Sequence, residues 1–318
     1  MKLSANTQQL LDLYKEQQAL EDYQSGVPRW CTGCGDNAIL AAVQRLCRDE
    51  GLRPEKTVFV SGIGCSSRFP HYMKTYGFHG IHGRAFPVAE GVKMSRPDLT
   101  VFVNTGDGDC CSIGAGHWIH AIRYNMNMTV FLHDNQIYGL TKKQASPTSP
   151  IGTSSNTTPR GSYLDALNPL SVTLGVANVS FVAQVVDWIP EMLFDVVKAA
   201  YHHKGFSFVR IIQRCPEWLP KSLDPWLQDP NRVQLVHHEN GLQISPGLSR
   251  VYKNQVEHDP RDIHRAREIA SDTDTIPVGI LYQNPGVPCY EETRHSNVLR
   301  TVDLIRTNFE KELDKHSV

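Results

Sequence analysis

Three stretches of the chain are built the same way. "KTVFVSGIGCSS" (56–67), "DLTVFVNTGDGD" (98–109) and "MTVFLHDNQIYG" (128–139) each pair an apolar, β-branched run with a loop rich in glycine or small polar residues. "NVSFVAQVV" and "FSFVRIIQRC" are two further runs, with the helical "WIPEMLFDVVKAAYHH" between them. Fully apolar strands alternating with helices specify an α/β fold, a mostly parallel sheet covered by helices on both faces. Ligands of such sheets sit beyond the carboxyl ends of the strands. The loops 62–68, 106–109 and 134–141, together with Cys215, all directly follow predicted strands, so all four are expected on one sheet edge. A helix is expected from Asp36, with Asp36 as its cap and Ile39, Leu40, Val43, Leu46 and Cys47 at helical spacing; another is expected from Ser112 to about Tyr124. Residues 1–27 read as an N-terminal helical segment, 28–225 as the main domain and 226–318 as a C-terminal wrapping extension closed by a helix at 296–314.

The 318 residues carry 32 basic and 33 acidic side chains, a formal net charge of −1. That balance offers no electrostatic footprint for nucleic acid and no polybasic membrane patch. No run of apolar residues is long enough for a membrane span. The polar start, "MKLSANTQQLLDLYKEQQAL", lacks the apolar core of a signal peptide, and no arginine precedes Arg29. A cytoplasmic location is expected, where thiols stay reduced. Eight cysteines there point to metal binding or chemistry.

"NTGDGD" and "DNQIYG" end consecutive strands, with Asp107 and Asn135 lying 28 positions apart. One crossover brings such strands side by side. Gly106 and Gly108 let backbone amides approach a phosphate, Ser112 and Gly114 open the next helix with unpaired amides, and Asp107 and Asn135 offer hard oxygens to Mg2+. The plain alternatives are a tight turn or a calcium loop. An EF-hand loop needs an oxygen ligand at 111 and a glutamate at 118, where Cys111 and Trp118 stand. Gly-Asp-Gly followed about 30 residues later by Asn resembles the thiamine diphosphate signature.

Cys31 and Cys34, in "VPRWCTGCGDNAIL", have metal-ligand spacing, and Cys65 and Cys215 lie at strand ends on the same expected edge. Four thiolates suit one [4Fe–4S] cluster, and equally a structural zinc ion. A zinc ribbon normally carries two local C-x₂-C pairs and here there is one; Cys215-Pro216 is similar to the Cys-Pro of cluster-binding ferredoxins. Cys47 reads as core, and Cys110, Cys111 and Cys289 lack the spacing for a second cluster.

"WCTGCGDNAIL", "GIGCSS", "HGRAFPVAEGVKM", "GDGD" and "DNQIYGLT" together resemble the β subunit of 2-oxoacid:ferredoxin oxidoreductases over about 28–225, with an echo in "IPVGILYQNPGVPCYEE". The resemblance implies a thiamine-diphosphate-binding fold and Cys31, Cys34, Cys65 and Cys215 as cluster ligands. It implies cofactor contacts from Ile63, Gly64, Cys65, Ser66, His82, Gly108, Asp109, Gly139 and Leu140. It implies Mg2+ on Asp107, Asn135 and the Ile137 carbonyl, and His82 as a catalytic residue. The implied reaction converts a 2-oxoacid, coenzyme A and oxidised ferredoxin into acyl-CoA, CO2 and reduced ferredoxin, reversibly. An α subunit would supply the glutamate that activates the cofactor, in an (αβ)2 assembly. Arg68, directly after "GIGCSS", is expected beside the reacting centre, where a guanidinium fork would match the second carboxylate of 2-oxoglutarate; Leu140 and Lys142 are the other expected substrate contacts. Pyruvate and other 2-oxoacids remain alternatives, as does a non-redox thiamine-dependent decarboxylase with structural zinc. "LTKKQ" departs from the glycine pair that many members carry before the glutamine.

Overall fold

The computed structural model of the chain describes residues 18–239, 241–295 and 309–315. Nine strands form one sheet: β1 (Thr57–Ser61), β2 (Tyr76–His79), β3 (Thr100–Gly106), β4 (Met128–Asp134), β5 (Phe181–Val186), β6 (Phe206–Ile212), β7 (Val233–His237), β8 (Gln255–Glu257) and β9 (Ile276–Gln283). Their order across the sheet is β8-β7-β9-β5-β6-β4-β3-β1-β2. From β5 to β2 every pairing is parallel; β9 runs antiparallel to β5, and β7 and β8 follow β9.

The burial explains the composition of the strands. β1, β4 and β5 are buried at every position, because helices cover both faces. On one face lie α1 (Gly35–Asp49) and its neighbour Pro190–His202; a stack of Phe59, Phe102 and Phe131 crosses β1, β3 and β4 there, with centroids 4.9 and 5.9 Å apart. On the other lie α2 (Ala85–Ser95), α3 (Ala115–Tyr124) and the helix Ile263–Ser271, packed around Phe86, Trp118 and Phe208. Each large buried side chain contributes roughly 1.5–3 kcal/mol of transfer free energy, so two continuous layers hold the sheet.

Several expectations need correction. Asp36 does not cap α1: the cap is Cys34, and Asp36 lies inside the first turn, fully buried, bonded to His133. An acidic residue there still meets the positive end of the helix dipole. The helix expected from Ser112 is preceded by a π-helical turn, Asp109–Ile113, and α3 starts only at Ala115. Cys47 is fully buried in the core, as its spacing predicts. The segment after residue 225 also supplies β7, β8 and β9 to the sheet. Most of the expected N-terminal helix lies outside the described residues, and Leu20–Tyr23 within it forms one 3₁₀ turn. Of the expected closing helix, 309–314 is helical and 296–308 is outside the described residues.

Candidate functional site

Strands β6, β4, β3 and β1 are neighbours and parallel, so the loops at their carboxyl ends meet at one edge. A cavity of about 390 Å³ opens there. Ile63, Gly64, Cys65 and Ser66 line it from the β1 loop, with His82 from the turn before α2. Asp107, Gly108 and Asp109 come from the β3 loop, and Asn135, Ile137, Gly139 and Leu140 from the β4 loop. The strand-end rule thus brings these expected cofactor and magnesium residues together. Lys142 and Arg68 are not among the lining residues.

The cavity walls are fixed by hydrogen bonds. Asp109 is buried and its carboxylate accepts from the Ile63 amide (3.0 Å), the Gly83 amide (2.7 Å), the Thr105 hydroxyl (2.8 Å) and His82 Nδ1 (2.7 Å). Its side chain is therefore a strut tying three loops together. Because a carboxylate only accepts, His82 Nδ1 carries the proton and Nε2 is left as the free acceptor in a cavity-lining residue, the oriented-base arrangement. The Tyr138 hydroxyl donates to the Gly108 carbonyl (2.9 Å), and a Cβ on residue 108 would collide with the Tyr138 ring. Glycine is required at that point for the loop to lie flat under the ring.

Asp107 is the exception. It is 2 % exposed, and burial, followed by the charge of Asp134, pushes its carboxyl above the usual carboxylate range. The Thr148 hydroxyl lies 2.9 Å from Asp107 Oδ2 and 2.8 Å from Asp134 Oδ1, and one proton cannot serve both. Arg210 neutralises Asp134, with Nη2 2.6 Å from Oδ2. Among the described residues the side-chain donors that favour the Asp107 carboxylate are the Ser146 and Thr148 hydroxyls and no basic side chain pairs with it, and Asn135 and Ile137 line the same cavity. This donor set suits a hard divalent cation that takes most of its other ligands from phosphate and water.

His133, also in the lining, is fully engaged: Nδ1 donates to Asp36 Oδ1 (2.7 Å) and Nε2 accepts from the Asn104 amide (3.0 Å). Asp36 in turn accepts from Cys34 Sγ (3.5 Å). A hydrogen-bonded chain thus leads from the cavity wall to the cysteines. Sequence reasoning missed it, along with Thr148 and Tyr138. The only local signal was a histidine immediately before the strand-ending Asp134.

The four expected cysteines neighbour one another beside the cavity. Burial, with the charges of Asp36, Cys215 and Cys31 adding to it, pushes the Cys65 thiol up to about 12. Burial also raises Cys34, with Asp36 and Cys65 adding to the shift. Cys215 is raised by burial, while the backbone amides of Trp218, Leu219 and Glu217 work the other way by favouring its thiolate. Thiols packed so that neither burial nor charge favours ionisation need positive charge among them to become thiolates. Among the described residues, no group of three or more His, Cys, Asp or Glu side chains converges on a single ion.

Arg68 departs from its expected position. It is half-buried and its Nε donates to the Tyr72 hydroxyl (3.0 Å), in a second cavity that meets the first only at Leu140. The turn after β4 bends outward, so Lys142 is exposed. Lys142 and Lys143 both adopt left-handed φ, 68° and 61°, where glycine would be unstrained.

Known proteins agree with this geometry. Residues 62–211 match the family described as thiamine pyrophosphate enzyme, C-terminal TPP binding domain, and 248–297 match the C-terminal family of the pyruvate ferredoxin oxidoreductase beta subunit. The chain is 46 % identical over 224 residues to 2-oxoglutarate oxidoreductase subunit KorB of Mycobacterium tuberculosis, covering 70 % of this chain and 60 % of that protein. It is 40 % identical over 271 residues to the 2-oxoacid:ferredoxin oxidoreductase subunit beta of a Sulfolobus species, covering 84 % of this chain and 86 % of that one. A solved 2-oxoglutarate:ferredoxin oxidoreductase from Magnetococcus marinus, with 2-oxoglutarate, coenzyme A and succinyl-CoA bound, superposes with a TM-score of 0.76 at 37 % identity, covering 88 % of this chain and 90 % of that one. The chain therefore belongs to the β subunits of the 2-oxoacid:ferredoxin oxidoreductases.

Proposed function

We propose that this chain is the β subunit of a 2-oxoglutarate:ferredoxin oxidoreductase, which converts 2-oxoglutarate, coenzyme A and oxidised ferredoxin into succinyl-CoA, CO2 and reduced ferredoxin. The supporting observation is a single sheet edge that carries both a glycine-walled cavity with an uncompensated Asp107 and four adjoining cysteines. The names of the Mycobacterium tuberculosis and Magnetococcus marinus proteins favour 2-oxoglutarate within the family.

In this reading thiamine diphosphate occupies the cavity, its diphosphate against Gly108 and its metal, Mg2+, on Asp107, Asn135 and the Ile137 carbonyl. Ile63, Gly64, Ser66, His82, Gly139 and Leu140 surround the rest of it. Cys31, Cys34, Cys65 and Cys215 hold one [4Fe–4S] cluster. When bound, the thiamine group supplies an electron sink for decarboxylation, and the cluster accepts the electrons one at a time. The work of this chain's own residues is to place these groups side by side. Asp109 fixes His82 with Nε2 free to accept a proton, while the Cys65 loop serves both sites because it lines the cavity and joins the cysteine corner. Leu140 faces the 2-oxoacid from the cavity wall, while Arg68 lies in the neighbouring cavity and Lys142 is exposed on the turn beyond. In an (αβ)2 assembly in the cytoplasm, the cofactor site is finished by the α subunit, and ferredoxin is the electron acceptor.

The test is anaerobic co-purification with the native α subunit, followed by ferredoxin reduction with 2-oxoglutarate, pyruvate and a branched-chain 2-oxoacid. Turnover should be fastest with 2-oxoglutarate. Faster turnover of pyruvate would move the chain to another substrate class in the same family.

A further inference from the structure

Two buried carboxylates lie beside the cysteine corner, and they are compensated differently. Asp187, which packs against the Gly35 backbone, is held by Arg214, with Nε 2.9 Å from Oδ2. Asp36 is fully buried, and no lysine or arginine among the described residues pairs with it. Both of its oxygens accept: Oδ1 from His133 Nδ1 (2.7 Å) and Oδ2 from Cys34 Sγ (3.5 Å). The Asn104 amide can only donate to His133 Nε2, at 3.0 Å, so the proton of the ring sits on Nδ1. The Asp36–His133 pair therefore carries one negative charge inside the protein, a costly arrangement when no cation meets it. Its field reaches past Cys34, since burial first and Asp36 next disfavour the thiolates of both Cys34 and Cys65. Asp36 also stands in the first turn of α1, whose N-cap is Cys34. The positive end of that helix, about half an elementary charge, favours extra negative charge at the cysteines, and the Asp36 carboxylate opposes it.

We propose that the Asp36 carboxylate, aimed by His133, sets the reduction potential of the cluster and holds it low. The inference rests on the cluster reading above. Reduction adds one electron to the group that the four thiolates hold. A buried carboxylate beside Cys34 repels that electron through surroundings that screen charge weakly. The electron comes from the decarboxylated cofactor and leaves for ferredoxin, so no further reductant or oxidant is needed. A group that gives its electron up readily is what ferredoxin reduction requires. His133 lines the cofactor cavity, so one side chain both closes the cavity wall and fixes the charge that faces the cysteines.

The experiment uses the anaerobically purified complex with the α subunit and compares wild type with Asp36→Asn, Asp36→Ser and Asp36→Glu. Iron and acid-labile sulfide are counted first. The midpoint potential of the cluster is then read by a mediated redox titration followed by electron paramagnetic resonance. Asp36→Asn and Asp36→Ser remove the charge, so at a fixed potential the reduced-to-oxidised ratio should rise about tenfold or more. For one electron that is a shift of about 59 mV toward positive values. Asp36→Glu keeps the charge and should stay near wild type, even where its longer side chain lowers stability. A purely structural role would lower stability in all three variants and leave the midpoint where it is. Equal midpoints in wild type, Asp36→Asn and Asp36→Ser would overturn the inference, and so would a shift in Asp36→Glu as large as that in Asp36→Asn. If Asp36→Asn alone loses its iron, the midpoint of Asp36→Ser decides. Loss of iron from all three variants would overturn the tuning role, since Asp36 would then serve cluster assembly. A wild-type complex without iron and sulfide would instead sink the cluster reading.

Discussion

Around the cavity beyond β3 and β4 nearly every polar side chain has a protein partner: Asp109 has four donors, His133 has Asp36 and Asn104, and Tyr138 has the Gly108 carbonyl. The adjoining cysteine corner is the reverse. Burial pushes the thiols of Cys34, Cys65 and Cys215 up, and the main groups that favour their thiolates are backbone amides, most of them at Cys215. One region is organised before anything binds, so a ligand there gains affinity by not having to order it. The other has donors that are favourable only once positive charge arrives, as expected where metal binding and local folding are coupled. Asp107 is the cavity carboxylate that behaves like the cysteine corner, since burial pushes it up as well, and in the proposed function it is the residue that meets the cation.

The largest effects should come from the corner. Cys31→Ala, Cys34→Ala, Cys65→Ala and Cys215→Ala should each end ferredoxin reduction, whereas Cys47→Ala should keep it and lose only about 1 kcal/mol of stability. Chemical denaturation and a ferredoxin assay measure both. Next comes the exception in the cavity. Asp107→Ala should weaken thiamine diphosphate binding by at least the roughly 10–100-fold typical of losing an outer-shell partner, with Asn135→Ala milder because a neutral ligand is lost. Cofactor retention after gel filtration reads this directly, and full retention in both variants would place the cation elsewhere.

A smaller effect tests whether the cavity wall is organised without ligand. Asp36→Asn leaves His133 Nδ1 a weaker acceptor and should cost the cofactor-free chain about 1–3 kcal/mol in denaturant unfolding. If the loss appears only with cofactor bound, the wall is not preorganised. Away from both regions, Glu90 supplies a pH effect. It is partly buried with Oε1 unpartnered, and burial brings its carboxyl up to about 7 from 4.5. The folded state then holds the proton more tightly than the unfolded one, so stability falls as pH rises from 4.5 to 7 and is level above. Glu90→Gln should remove that slope, seen as a gain in Tm over wild type that grows across the same window. The smallest effect is expected at the outward turn. Lys143→Gly should relieve left-handed strain and stabilise by up to about 1 kcal/mol, read as a shift of the denaturant midpoint.

What was legible in the sequence follows from the same contrast. The five buried strands and the cavity-lining loops could be read because apolar runs and glycine-rich ends are local patterns. The cysteine corner could be read because the strand-end rule carries loops to one edge. Asp36 was misplaced as a cap because its partner, His133, is 97 residues away, and no local pattern distinguishes a capping aspartate from a buried one. Thr148, which bridges Asp107 and Asp134, carries no signal in its loop. Arg68 was placed beside the reacting centre by its position in the chain, but the 3₁₀ turn Ser66–Tyr72 carries it into the neighbouring cavity. β7 and β8 went unread because their runs are short and lie within a polar stretch.

In the proposed function the cysteine corner holds an iron–sulfur cluster, and electron transfer to ferredoxin depends on it. The direct measurement is iron, acid-labile sulfide and zinc per β chain in the anaerobically purified complex, for wild type and Cys215→Ala. The account predicts about four irons and four sulfides in wild type, little zinc, and a clear loss of both iron and sulfide in the variant. Stoichiometric zinc without sulfide, or full iron in Cys215→Ala, would contradict it.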